Sequence, residues 1–164
     1  MRRLLRLYRP FAVALGLVLA GAALPPVADA VRGDEPVVVD DVAAAEVTGA
    51  VSRGLTSVFG YEAGDVAATE RAAAQVLRGP ALRQYRMLFG QVKRQAPEQR
   101  VTLVTRVVRA GVVSLGGDSA RVLVFLDQTA TRAGEPAGTP AAAQLVVTAR
   151  RDAGRWTIHE LRAV

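Results

Sequence analysis

The spacing of apolar residues changes once in this chain, after Gln99, and that change limits the possible folds more than any other feature. Before it, apolar side chains recur every three or four residues, as on a helix with one buried face. Ala44, Val47, Val51, Leu55 and Val58 keep this spacing and predict a first helix over 42–58. Asp40 or Asp41 is placed to cap it, Gly49 and Gly54 weaken it locally, and Gly60-Tyr61 ends it. Asp65 is the expected cap of a second helix over 66–77, which buries Val66, Ala73 and Leu77. Gly79-Pro80 separates it from a third helix, with Pro80 at the first helical position. That helix runs to about Gln95, turns Leu82, Tyr85, Phe89 and Val92 inward, and is closed by Pro97.

Beyond Gln99 the pattern becomes that of strands, rich in Val and Thr. Val101–Leu115 reads as one long, bent strand with a bulge near Ala110-Gly111. Gly116-Gly117 is a two-residue hairpin signal. The second strand spans 120–131. Its apolar run Val122-Leu123-Val124-Phe125-Leu126 places it inside the sheet. A loop over 131–140 leads to a third strand at 142–151. Asp152-Ala153-Gly154 turns the chain into a last strand, 155–163, with Trp156 and Ile158 on one face. Three helices followed by four hairpin-connected strands predict an α+β domain. The helices must cover one face of a bent four-stranded antiparallel sheet, which gives the cone of the nuclear-transport-factor-2-like, or cystatin-like, fold.

The N-terminus sets the compartment. Arg2, Arg3, Arg6 and Arg9 precede the uncharged run Phe11–Leu24 without an acid among them. Fourteen residues make a helix of roughly 21 Å, short of a hydrocarbon core about 30 Å thick. Pro25-Pro26 stops the run, and Ala28-Asp29-Ala30 offers small residues at a cleavage site. A cleaved signal peptide fits these features. So does an N-terminal hydrophobic helix that spans the bilayer by adding Leu4, Leu5, Leu7 and Tyr8 while its arginines snorkel. Both readings place the rest of the chain outside the cytoplasm. The expected organisation is an export segment at 1–30, an acidic linker at 31–41 that spaces the domain from the bilayer, and a folded domain at 42–164.

Composition closes several routes. The chain has 164 residues and no cysteine, so the exported domain must rest on its apolar core without disulfides. Its 21 basic residues outnumber 15 acids, which at first suggests nucleic acid. Export, the scatter of the arginines, and the single lysine, Lys93, argue against that partner. Thiolate chemistry is excluded, and one histidine, His159, cannot build a multi-histidine metal site. Ser52, Ser57, Ser114 and Ser119 all lie outside a nucleophile elbow. His159 reads as a strand residue at the sheet edge. No catalytic, cofactor-binding or metal-binding residues are expected. The alternative is a small-ligand carrier or cavity enzyme that places Asp127 inside the cone, with Tyr85, Arg106 and Glu160 as candidate neighbours. The plainer reading pairs Asp127 with an arginine or sets it at a sheet edge.

Several segments carry a resemblance when taken in order. They are the aromatic break Val58-Phe59-Gly60-Tyr61, LRGPALRQYRMLFGQVK at 77–93, VVRAGVVSL at 107–115, VLVFLDQTAT at 122–131 and GRWTIHEL at 154–161. Over residues 42–164, and in the kind of N-terminus, the chain resembles the Mce-associated membrane proteins of actinobacteria. That resemblance implies a single-pass membrane anchor and an extracytoplasmic domain of the transport-factor-2-like fold. It also implies a non-enzymatic accessory role beside Mce lipid-import complexes, with the membrane and the subunits of such a complex as partners. The short apolar run and the Ala28-Asp29-Ala30 site depart from it and keep secretion after cleavage near Ala30 as the alternative.

Overall fold

A computed structural model describes residues 40–135 and 137–164. The export segment and the linker up to Val39 lie outside the described residues. Three helices, α1 (Asp41–Phe59), α2 (Val66–Val76) and α3 (Gly79–Gln99), precede four strands. These are β1 (Val101–Gly116), β2 (Ser119–Arg132), β3 (Thr139–Asp152) and β4 (Arg155–Ala163). They form one antiparallel sheet in the order β1-β2-β3-β4, with the helices on one face. The α+β architecture is the expected one. No described helix is long and apolar enough to cross a membrane.

The helix starts follow from their caps. The Asp40 carboxylate accepts the Val42 N–H at 3.0 Å, and the Asp65 carboxylate accepts the Ala68 N–H at 3.0 Å. Val47, Val51, Leu55 and Val58 of α1 are buried together, as their spacing predicts. The helix ends need more correction. Leu77 leaves α2 and makes a parallel bridge to Ile158, while the Arg78 N–H donates to the Ile158 carbonyl. Pro97 does not close α3, which continues to Gln99. A proline removes one helical donor but its fixed φ is helical. The stop comes from Arg100, whose φ of 50° turns the chain into β1.

The sheet is long and irregular in defined places. β1 is bulged between Val107 and Arg109 and again between Val112 and Ser114, on either side of the expected Ala110-Gly111. Gly111 itself stays in register with Leu123. The first hairpin turns one residue later than expected: Gly116 still pairs with Ser119, and Gly117 takes the positive φ of 55°. At the β3–β4 turn Ala153 and Gly154 both have positive φ, 49° and 76°, the geometry that joins twisted strands tightly. His159 is the extra residue of a bulge opposite Thr148/Ala149.

Alternation along the strands decides what the core contains. Val122, Val124 and Leu126 of β2 point inward with Leu145, Val147 and Ala149 of β3 and Ile158 of β4. They meet α1 and the inward side of α3, where Ala81, Tyr85 and Phe89 are buried. The exposed carbonyls at the end of α1 find side-chain partners inside this core. The Thr105 hydroxyl donates to the Phe59 carbonyl at 2.8 Å and accepts from the Gln128 amide at 2.9 Å. The Thr69 hydroxyl donates to the Gly60 carbonyl at 3.0 Å. Tyr61 then pairs with Leu103 through two backbone hydrogen bonds, which fixes α1 against the start of β1.

Candidate functional site

The interior of the cone is occupied by aromatic rings. Tyr85 stacks on Phe89 with centroids 4.9 Å apart, and Phe89 meets Tyr61 edge-on at 6.3 Å. Trp156 packs against the same core from β4, with the Arg151 guanidinium over its ring at 5.7 Å. Arg151 also donates to both carboxylate oxygens of Glu46, at 2.7 and 2.9 Å. The Tyr85 hydroxyl is buried without a partner among the described residues, and burial and the nearby Glu70 carboxylate push its pKa upward.

Asp127 does not enter this interior. Val122, Val124, Leu126, Gln128 and Ala130 face inward, so Asp127 falls on the outer face of the sheet and is exposed. Its cross-strand neighbours are Arg106 on β1 and Ala142 on β3. Glu160 also lies outside, where it accepts a 3.3 Å bond from Thr148, while Tyr85 is inside. The structure therefore brings Asp127 beside Arg106 and separates it from Tyr85, which corrects the cavity-enzyme reading. The buried polar residue of β2 is its neighbour Gln128. The two-residue period carried that information: Phe125, in the middle of the apolar run, is 40% exposed.

His159 lies on the edge strand, as expected, and belongs to a small polar cluster. The Thr157 hydroxyl donates to Asp152 Oδ2 at 2.6 Å. His159 Nε2 is 3.1 Å from the same oxygen and 3.2 Å from the Thr157 hydroxyl. The hydrogen bond from Thr157, then that from His159, hold the Asp152 carboxyl below the usual carboxylate range. A nucleophile–base–acid relay needs the two imidazole nitrogens to serve different partners. Here both contacts use Nε2, so the cluster ties the β3–β4 turn to the bulge instead. Among the described residues no group of His, Asp and Glu is arranged to hold a metal ion.

No family model matches the chain. It is 33% identical over 124 residues to the outer membrane protein Rv1973 of Mycobacterium tuberculosis, covering 75% of this chain and 77% of that protein. The chain belongs to the Rv1973 family. A second relative, the uncharacterized protein Rv1362c of the same organism, is 32% identical over 126 residues. The Rv1973-family chain spans only 57% of the length of Rv1362c. Among solved structures its fold resembles CagV, a VirB8 homolog of the type IV secretion system of Helicobacter pylori. That likeness has a TM-score of 0.61 at 14% identity and covers 73% of this chain and 97% of CagV. A periplasmic fragment of TraM gives a TM-score of 0.60 at 9% identity over 72% of this chain and 94% of the fragment. At such identities the likeness is one of fold.

Proposed function

We propose that this Rv1973-family chain is a non-enzymatic accessory protein of an Mce-type lipid import assembly, tethered to the cell membrane with its folded domain outside the cytoplasm. One observation carries the reading. Tyr61, Tyr85 and Phe89 fill the interior, while Asp127, Glu160 and the His159 cluster lie outside it or at its edge. A domain built this way works through its outer surface. Kinship with a protein named for the outer membrane, and the fold shared with a periplasmic domain, support a place at the envelope.

Deletion of the chain should lower the steady-state level of its partner complex and slow lipid uptake, and the complex should co-purify with the chain from detergent-solubilised membranes. An unchanged complex and unchanged uptake would sink the accessory role. Alkaline carbonate extraction tests the tether separately. A retained anchor keeps the chain in the membrane pellet, whereas release with Val31 at the N-terminus shows cleavage.

A further inference from the structure

The outward face of α3 is basic. The helix carries Arg83, Arg86, Lys93 and Arg94 against one acid, Glu98, close to its C-terminal end. Tyr85 and Phe89 fix which side is buried. On the opposite side Arg83, Met87, Gly90 and Arg94 follow at helical spacings of four, three and four, with Arg86 beside them. Met87 is 69% exposed. Lys93 is held by Glu70 at 2.7 Å. Arg83, Arg86 and Arg94 are exposed and form no ion pair among the described residues. Gly90 keeps the middle of this face low: a Cβ there would sit 3.7 Å from Arg94 Nη1, so the guanidinium lies across the bare backbone. The outer face of the sheet also exposes Val104 and Phe125, but there Arg106, Arg109 and Arg162 share the face with the carboxylates of Asp127 and Glu160.

We propose that this face of α3 docks on an anionic lipid bilayer surface. Three arginines without an ion pair among the described residues supply the charge complement to acidic headgroups. Met87, central among them, enters the boundary between headgroups and acyl chains as the apolar residue of an interfacial helix does. Chain length permits the arrangement. The residues from Pro25 to Val39 reach at most about 50 Å when extended, more than the roughly 32 Å length of the 21-residue helix. This last step rests on the tethered reading; the surface chemistry of α3 does not.

The chain has no cysteine, so Met87→Cys provides a single site for an environment-sensitive fluorophore. The labelled full chain is reconstituted into vesicles of phosphatidylcholine alone or mixed with phosphatidylglycerol. The expected result is a blue-shifted emission, quenched by headgroup-proximal brominated lipid, only where phosphatidylglycerol is present, and reversed by high salt. Each arginine at such a surface strengthens association about fivefold, so the triple change R83Q/R86Q/R94Q should lower the docked-to-undocked ratio on the order of 100-fold. Its thermal melt should stay unchanged, because the three side chains form no ion pair among the described residues. A label on Val108→Cys, at the first β1 bulge, should read as aqueous throughout. An aqueous signal at position 87 in both vesicle types overturns the proposal. So does equal docking on pure phosphatidylcholine, indifference to the arginine changes, or shielding that appears only when membrane proteins are present. None of these outcomes bears on carbonate extraction, which tests the tether, or on the level of the partner complex, which tests the accessory role.

Discussion

Two glycines in α1 look alike in sequence and differ in what surrounds them. A Cβ on Gly54 would lie 2.7 Å from Val76 Cγ1 and 3.4 Å from Ile158 Cδ1, so α1 and α2 approach closely there. Val76 is β-branched and stiff at χ1, so it cannot swing aside without strain. Gly54→Ala should therefore lower stability by about 1 kcal/mol in urea unfolding, overpacking outweighing the gain in helix propensity. At Gly49 the nearest atom is the flexible Arg53 guanidinium at 3.3 Å, and Gly49→Ala should raise stability by about 0.5–1 kcal/mol. Propensity alone predicts one sign for both, because it carries no information about a neighbouring helix. Tyr85 offers a second test. Its buried hydroxyl has no partner among the described residues, so Tyr85→Phe should stabilise the fold by about 1 kcal/mol. A loss instead would reveal a bound group that accepts from it.

Elements were legible in the sequence to the extent that one buried face wrote its period into them. The α1 stripe, the length of β1 and the position of β2 between two partners followed directly from Val, Leu and Thr spacing. Features set by contacts between distant segments did not. Leu77 leaves α2 to pair with Ile158, and α3 passes Pro97 because Arg100 supplies the turn. The alternative that put Asp127 inside the cone fails for a similar reason: a run apolar on both faces identifies an interior strand without saying which face is covered, and Asp127 lies outside, opposite Arg106. The β3–β4 turn makes a prediction at this scale. Asp152 is held below its ordinary carboxylate range by Thr157 and His159. Its contribution to stability is thus full above the unfolded-state value, near pH 4, and is lost as pH falls through the lower folded value. Asp152→Asn should flatten the acid limb of the stability curve, measured by urea unfolding across that range. A curve that keeps its slope would show that the acid limb comes from other carboxylates.

For the whole molecule, the division between a filled interior and a varied exterior decides where function resides. A carrier needs room in the cone, whereas here three aromatic rings from α3 and the α1–α2 connection meet inside it. The proposed accessory role and the proposed lipid contact of α3 both lie on the exterior and are separable by experiment. The first thirty residues carry an expectation of export and lie outside the described residues. The face of α3 proposed to meet a bilayer was not legible, because helical spacing places its arginines off the buried stripe without showing that three of them form no ion pair among the described residues.

The two borders of the sheet are guarded unequally. Leu77 and Arg78 lie along β4 at Ile158, whereas among the described residues β1 is bridged by Tyr61 only at Leu103. A strand of sixteen residues left open along one side is a template for joining sheets from separate molecules. The bulges at 107–109 and 112–114 break its row of donors and acceptors into short stretches that no regular strand can match. Irregularity in β1 thus protects the domain from aggregation, and straightening either bulge by deleting one residue would remove that protection along with the bend.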